Sequence, residues 1–235
     1  MLHLPDYTIT DKFHEGSSTI LFRGQRKGDH APVVVKLPRA EFPTARELAR
    51  IRHEYALLRE LHLPGIPQAY ALERVGHRLA LVMQDVGEQP LSAVLGARQL
   101  TIAESLQVAC AIAAILEPLH ALGLVHKDLK PHNVVVGQVV SKVSLVDFGI
   151  AARVQSDDAT LLAPDLLEGT LAYMAPEQTG RLARVIDARS DLYSLGVLLF
   201  EMLTGALPFA SSEPAELIYS HLARTPPSPH QLRRE

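Results

Sequence analysis

A chain of 235 residues, 47% hydrophobic and 21% charged, can bury a substantial core and fits one domain or one domain in two lobes, so disorder is not the default. The formal charge of −3 gives no global basic field, and nucleic-acid binding is therefore not suggested by charge balance. The single cysteine, Cys110, cannot close an internal disulfide and sits in an apolar stretch, which points to a reducing interior or a plain buried thiol and favours the cytoplasm.

The N-terminus, Met-Leu-His-Leu-Pro-Asp, has neither a basic start nor an apolar core, so no signal peptide is expected and the mature chain is expected to begin near Met1. From Tyr7 to Leu37 the chain carries short β-type runs, Thr19-Ile-Leu-Phe22 and Val33-Val-Val-Lys-Leu37, separated by a polar, glycine-containing turn. This predicts an antiparallel hairpin. Leu48, Ile51, Tyr55, Leu58 and Leu61 then recur at threes and fours behind Thr44, which predicts an amphipathic helix capped by that threonine. Leu79 to Met83 reads as a strand, and the turn residues of Gln84-Asp-Val-Gly87 suit a hinge.

Beyond the hinge the periodicity is mostly helical. Ile102 to Val125 reads as a largely buried helix; Glu104, Gln107, Glu117, Pro118 and His120 interrupt it, so no membrane span is expected there. Val134-Val-Val136 and Val143-Ser-Leu-Val146 are short β-rich pieces flanking a turn. Leu192 to Leu203, apolar on most sides and too short to cross a bilayer, predicts a central buried helix. Thr225-Pro-Pro-Ser-Pro229 looks like the start of a linker.

Asp128 and Asn133 fall on a loop between a helix and a β-rich piece, and Asp147 follows beside Gly149. Mg²⁺ is a hard ion that accepts carboxylate and amide oxygens and completes its shell with phosphate and water, so an Asp plus Asn pair suits nucleotide-bound metal. Asp128 is then left to accept a proton.

His126-Lys-Asp-Leu-Lys-Pro-His-Asn133 followed by Asp147-Phe-Gly149 resembles the catalytic loop and metal-binding turn of eukaryotic-type protein kinases. The resemblance implies that Asp128 orients and deprotonates an acceptor hydroxyl, that Lys130 contacts the γ-phosphate, that Asn133 and Asp147 hold the metal, and that His126 braces the loop. It extends to Lys36 as the strand lysine for the α/β-phosphates and Glu54 as its helix partner. Met83 matches the gatekeeper, and Gln84 to Val86 would offer backbone groups to adenine. Gly169-Thr170 and Ala175-Pro-Glu177 match the end of an activation segment, Thr170 favours Ser/Thr over Tyr acceptors, and Asp191-Leu-Tyr-Ser-Leu-Gly196 matches the helix that anchors the catalytic loop. Any one of these pieces alone is commonly a turn, a strand-end charge or a solvated residue; six in register from Tyr7 to about Arg224 are not coincidence. Cys110, His62 and Tyr55 are read as core or surface residues without a chemical role.

The implied architecture is an α+β, protein-kinase-like two-lobe fold: a small antiparallel β-rich N-lobe with one helix (7–83), a hinge (84–86), a larger mostly α-helical C-lobe (87–224) that looks C-terminally truncated, and a linker-like tail (225–235). The implied function is Mg-ATP-dependent phosphorylation of protein Ser or Thr, with Mn²⁺ as the other candidate ion; the alternative is an ATP-binding pseudokinase or scaffold module. Small-molecule phosphotransfer is disfavoured, because Gly169 to Glu177 resembles a peptide-docking surface.

Three features depart from the family pattern. In the phosphate-covering loop His14, Gly16 and Thr19 stand where three glycines are preferred, so only Gly16 lets backbone approach phosphate without a Cβ. Lys127 replaces the arginine whose planar fork reads an activation-loop phosphate, and this predicts weak dependence on phosphorylation at Thr160 or Ser156. In the family Glu177 pairs with an arginine near the domain's end, a region that the chain does not reach. Gly180-Arg, Ile186 to Asp191 and the stretch from Leu37 to Glu60 resemble large bacterial signalling proteins in which such a domain precedes an ATPase-like region and a histidine kinase. This implies further domains in the same polypeptide.

Overall fold

The computed structural model describes residues 2–87, 89–137, 142–154, 171–182 and 184–233. They fall into two compact units, one of residues 1–86 with 147–150 and one of residues 87–146 with 151–235.

The first unit is a five-stranded antiparallel sheet with one helix. Strands β1 (Tyr7–Glu15), β2 (Thr19–Arg26), β3 (Pro32–Pro38), β4 (Ala69–Val75) and β5 (Arg78–Gln84) lie in the order β1-β2-β3-β5-β4. Alternation along β3 divides its residues between two faces. Val33, Val35 and Leu37 join Ala80, Val82, Leu4 and Tyr7 in one buried cluster, which leaves Val34 and Lys36 on the opposite face. Helix α1 (Ala45–Glu60) packs on β4 and β5. Thr44 caps it as the periodicity predicts, its hydroxyl accepting from the Glu47 N–H while Glu47 returns to the Thr44 N–H. The buried stripe of α1 is Ile51, Glu54 and Leu58, so a carboxylate occupies a core position.

Two strands of this unit escape the sequence reading. β1 is largely exposed and irregular in register, with shifts between Ile9 and Asp11 and between Lys12 and His14, so its residues show no clean alternation. β4 is half-buried along most of its length, with Ala69 buried and Arg74 exposed, and carries a register shift between Ala69 and Ala71.

The second unit is mostly helical. Strands β6 (Gln89–Pro90), β8 (Val134–Val136) and β9 (Val143–Leu145) form a small sheet, and β7 (Leu124–Val125) pairs with β10 (Ala152–Arg153). Helices α2 (Leu91–Ala97), α3 (Ile102–Ala121), α4 (Ala188–Thr204), α5 (Pro214–Ala223) and the single turn α6 (Pro229–Leu232) supply the rest. α3 packs on α4 and β9. It stops at Ala121 rather than running on to Val125, because Gly123 takes a φ of +71° that reverses the chain into β7.

Among the described residues α3 is the one helix long and apolar enough to cross a membrane, by length and composition; Val108, Ile112, Leu116 and Leu119 on it are fully buried in the unit. Cys110 is exposed, which rules out the buried-thiol alternative and makes it a surface residue. It lies roughly 200° around the helix from Val108, off the buried stripe. α4 is central, as its apolar composition predicts, and ends at Gly205 with a φ of +75°. Residues 225–227 are exposed, after which α6 brings the Arg233 guanidinium to the carbonyls of Leu100 and Leu203 at 2.8 and 3.1 Å. An antiparallel β-rich unit with one helix, followed in the chain by a mostly helical unit, is the α+β, kinase-like architecture expected.

Candidate active site

In the first unit Lys36 is carried by β3 to the face that meets the Glu54 side of α1. Its Nζ lies 2.7 Å from Glu54 Oε2 and 2.8 Å from Asp147 Oδ1. Glu54 is almost wholly buried, and its second oxygen accepts the Phe148 N–H at 3.2 Å. Burial by itself would pull the lysine down, but the charges of Asp147 and Glu54 outweigh it and hold Lys36 above the ordinary lysine range. Burial pushes the Glu54 carboxyl up, opposed by Lys36 and the Phe148 N–H. Asp147 has a φ of +67°, a left-handed conformation that costs a non-glycine residue roughly 1–2 kcal/mol. The Lys36 contact and the Phe148–Glu54 bond on the next residue keep it there.

At the end of β5, Met83 is buried. The Gln84 N–H donates to the Gln68 carbonyl at 2.9 Å and the Asp85 N–H to the Pro32 carbonyl at 3.3 Å. Val86 lies past the end of β5, so its N–H is not committed to the ladder. Gly16 sits at the tip of the β1–β2 hairpin, and its N–H closes that tip on the Thr19 carbonyl at 2.8 Å. A Cβ at position 16 would stand 3.3 Å from His14 Nε2, so the histidine side chain lies against the glycine.

In the second unit the loop between β7 and β8 is built around a buried carboxylate of α4. Asp191 Oδ2 accepts the His126 N–H at 2.8 Å and lies 2.8 Å from His120 Nε2; Oδ1 accepts the Lys127 N–H at 2.9 Å. Lys127 adopts a φ of +67° between these anchors. His126 is fully buried, with Nε2 3.1 Å from the Val146 carbonyl and Nδ1 3.3 Å from the Asp128 N–H. Asp128 is 8% exposed. Lys130 Nζ lies 3.0 and 2.9 Å from its two oxygens, and Asn133 Nδ2 donates to Asp128 Oδ2 and to the Asp128 carbonyl, both at 2.8 Å. Pro131–Asn133 form a 3₁₀ turn that swings the asparagine back onto the aspartate.

The oxygen donors suit a hard divalent ion. Asn133 commits its NH₂ group to Asp128, which leaves the amide oxygen as its acceptor. The Asp147 side chain is 43% exposed although Lys36 holds one of its oxygens. No cluster of three or more His, Cys, Asp or Glu that could cage a metal occurs among the described residues. A site of one or two protein oxygens completed by phosphate and water is how Mg²⁺ is held on nucleotides.

The segment after residue 170 packs on α4 and α5. The Tyr173 hydroxyl donates to Glu201 Oε2 at 2.7 Å, and burial pushes both groups up. Ser190 Oγ donates to Glu177 at 2.5 Å. Gln178 accepts the Ala175 N–H at 3.1 Å and donates to the Lys127 carbonyl at 2.8 Å. The first unit thus gathers Lys36, Glu54 and Asp147, and the second gathers Asp128, Lys130 and Asn133. Ser156, Thr160, Gly169 and Thr170 lie outside the described residues. Sequence reasoning did not single out His120, Glu201 or Gln178; only Gln178 carried a signal, its place directly after Ala175-Pro-Glu177.

The family described as "Protein kinase domain" matches residues 7–231. The chain is 31% identical over 232 residues to Serine/threonine-protein kinase Pkn1 of Myxococcus xanthus, covering 96% of this chain and 33% of that protein. It is 33% identical to Serine/threonine-protein kinase PknA of Mycobacterium tuberculosis, with 83% of this chain and 46% of that one covered. With Serine/threonine-protein kinase PksC of Streptomyces coelicolor it shares 38% identity over 66% of this chain and 28% of the relative. The chain therefore spans between about a quarter and a half of the length of these curated relatives. A match that runs through every residue of both clusters shows that the chain belongs to the protein kinase family, as a bacterial domain of the eukaryotic type.

Proposed function

We propose that the chain catalyses transfer of the γ-phosphoryl group of ATP to a serine or threonine hydroxyl of a protein. The observation that carries this reading is the fixed Asp128 carboxylate, buried, held by Asn133 and charge-balanced by Lys130. In the reaction the acceptor oxygen forms a bond to Pγ, the bond from Pγ to the bridging oxygen breaks, ADP leaves, and the hydroxyl proton passes to Asp128. The transition state is loose, so a carboxylate paired with lysine suffices as orienter and late proton acceptor. Lys130 supplies a donor for the oxygens of the moving phosphoryl group, and Lys36, fixed by Glu54, supplies a charge for the other phosphates. Met83, the Gln84 backbone and the Val86 N–H form the adenine side, and Gly16 the hairpin over the phosphates.

Asn133 and Asp147 would hold a divalent ion, Mg²⁺ with Mn²⁺ as the other candidate, which neutralises phosphate charge when bound. The relatives' names support Ser/Thr acceptors. We place the activity in the cytoplasm, where ATP is at hand and a lone exposed cysteine stays reduced. Further domains in the same polypeptide belong to this reading too, supported by the greater length of the relatives; the coding sequence on either side of the chain tests it.

The test is labelling with γ-³²P-ATP and either ion, using the protein itself and a generic basic protein as acceptors, followed by phosphoamino-acid analysis. Label on Ser or Thr that disappears in Lys36→Met and Asp128→Asn is expected. No transfer by the wild type, or equal transfer by both variants, refutes the reading.

A further inference from the structure

The peptide group joining Lys127 to Asp128 is held at both ends. Its N–H, on Asp128, points to His126 Nδ1 at 3.3 Å, and its carbonyl, on Lys127, accepts Gln178 Nε2 at 2.8 Å. The preceding peptide is pinned separately, through the Lys127 N–H on Asp191 Oδ1. Lys127 sits in the left-handed region between the two. A non-glycine residue persists there only when its surroundings over-determine it. Rotation of the 127–128 peptide is the motion by which the loop would relax, and that rotation re-aims the Asp128 side chain. Asp191 does not oppose it, because both of its backbone bonds lie on the N-terminal side of the rotating group. His126 Nδ1 opposes it from one side at a long distance, and Gln178 opposes it from the other at a short one.

Gln178 is also tied to the segment that carries it. Its Oε1 accepts the Ala175 N–H at 3.1 Å, inside the 3₁₀ turn Pro176–Thr179 and directly after Leu171–Tyr173. One amide therefore uses its acceptor on the 171–180 segment and its donor on the catalytic loop. From this we infer that Gln178 is a positioning residue for phosphoryl transfer: it locks the 127–128 peptide so that the carboxylate of Asp128 faces the acceptor hydroxyl, and it makes that lock depend on the placement of the 171–180 segment. The inference rests on the kinase reading above.

Two variants separate this from a local turn-capping role. Gln178→Met keeps length and volume and removes both hydrogen bonds. Gln178→Glu keeps an acceptor for the Ala175 N–H but sets a carboxylate oxygen against the Lys127 carbonyl. Turnover, KM for ATP and amide exchange at Asp128 are measured on the whole chain at a temperature where circular dichroism shows it folded.

Positioning predicts that both variants lose kcat by about tenfold, the effect of one hydrogen bond on the transition-state geometry. KM for ATP stays within about twofold in both, and exchange of the Asp128 amide speeds up at least about tenfold, since the variants change the loop and not the nucleotide side. Wild-type kcat in Gln178→Met overturns the inference. Wild-type kcat in Gln178→Glu with a defect in Gln178→Met also overturns it, because the acceptor on Ala175 would then be all that matters. If the wild type shows no transfer, the kinase reading fails on its own account and amide exchange still decides: unchanged exchange at Asp128 in Gln178→Met sinks the lock.

Discussion

Replacing Asp191 with asparagine tests whether one buried carboxylate organises the catalytic loop. The two side chains have nearly the same shape, so packing is preserved while the acceptor set changes. Asp191 receives the His126 N–H at 2.8 Å, the Lys127 N–H at 2.9 Å and the His120 ring at 2.8 Å, with no exposure to solvent. An amide keeps one oxygen, enough for one backbone N–H, and turns an NH₂ group toward the other.

The surviving bond falls from charge-assisted to neutral strength, a loss of roughly 1 kcal/mol, and the orphaned N–H costs roughly 1–3 kcal/mol more. Removing a buried charge returns part of its desolvation, and weakening the His120 contact offsets that return, so a net loss of about 3 kcal/mol is expected. That is a large fraction of a typical stability of roughly 5–15 kcal/mol, yet it leaves most molecules folded. With a urea m-value of roughly 2 kcal/mol/M, the unfolding midpoint falls by about 1.5 M. Activity falls further than stability: with its anchor gone Lys127 leaves the left-handed region, and a displacement of about 1 Å at Asp128 costs roughly a hundredfold in kcat. Urea titration followed by circular dichroism and initial-rate labelling measure the two losses. A midpoint within about 0.3 M of wild type together with a kcat within about threefold would refute the reasoning.

Glu54→Gln removes one of the two charges that hold Lys36 protonated and fixed. Turnover against ATP concentration should show kcat/KM lower by at least about tenfold, and an unchanged value would remove Glu54 from the nucleotide side. His221 is buried on α5, with Nδ1 2.7 Å from the Tyr193 hydroxyl and Nε2 without a partner among the described residues, and burial pulls its pKa below the ordinary 6.5. Below pH 6.5 the unfolded chain therefore takes up a proton that the folded imidazole resists. Stability is present in full above that pH, declines as the pH drops through it, and levels off below the folded pKa. Denaturant titrations between pH 7.5 and 5.5 should show a decline that His221→Gln lacks; parallel curves would contradict it. A Cβ on Gly24 would stand 2.5 Å from the Thr8 carbonyl, whereas one on Gly28 meets nothing within 4 Å. Gly24→Ala should cost about 1–3 kcal/mol in thermal melts and Gly28→Ala almost nothing, and equal melts would contradict the packing of β1 on β2.

The elements that declared themselves were those whose local signals agreed with their burial. Val33-Val-Val35 is a run of β-branched residues behind a polar turn, and Thr44 with Glu47 is a self-contained capping box, so β3 and α1 needed no tertiary information to be placed. β1 and β4 failed for the opposite reason: their register shifts break the period of two that makes a strand visible. The placing of Cys110, core or surface, was not legible because a helix apolar on most sides hides which side is buried, and only the neighbours of α3 decide that.

The site divides along the same line. Lys36, Glu54, Asp128, Asn133 and Asp147 were legible as residue types at a recognisable spacing, and within each unit charge draws its own group together: a buried lysine needs carboxylates, and a buried carboxylate needs a cation or N–H groups. What spacing cannot carry is the direction of a peptide group. The left-handed backbone of Lys127 leaves no mark on its side chain, and the partners that maintain it come from Asp191, some sixty residues later, and from Gln178. An arginine or a lysine at position 127 would read as a change in phosphate sensing. The loop, however, is anchored through the backbone of that residue, its N–H on Asp191 and its carbonyl on Gln178, and lysine and arginine supply both groups alike. The lysine can thus alter how the domain is controlled without altering how the catalytic carboxylate is aimed. Aim is set by Asn133 and Lys130 on the carboxylate itself and, through the 127–128 peptide, by Gln178, whose displacement would disturb Asp128 even with every motif residue intact.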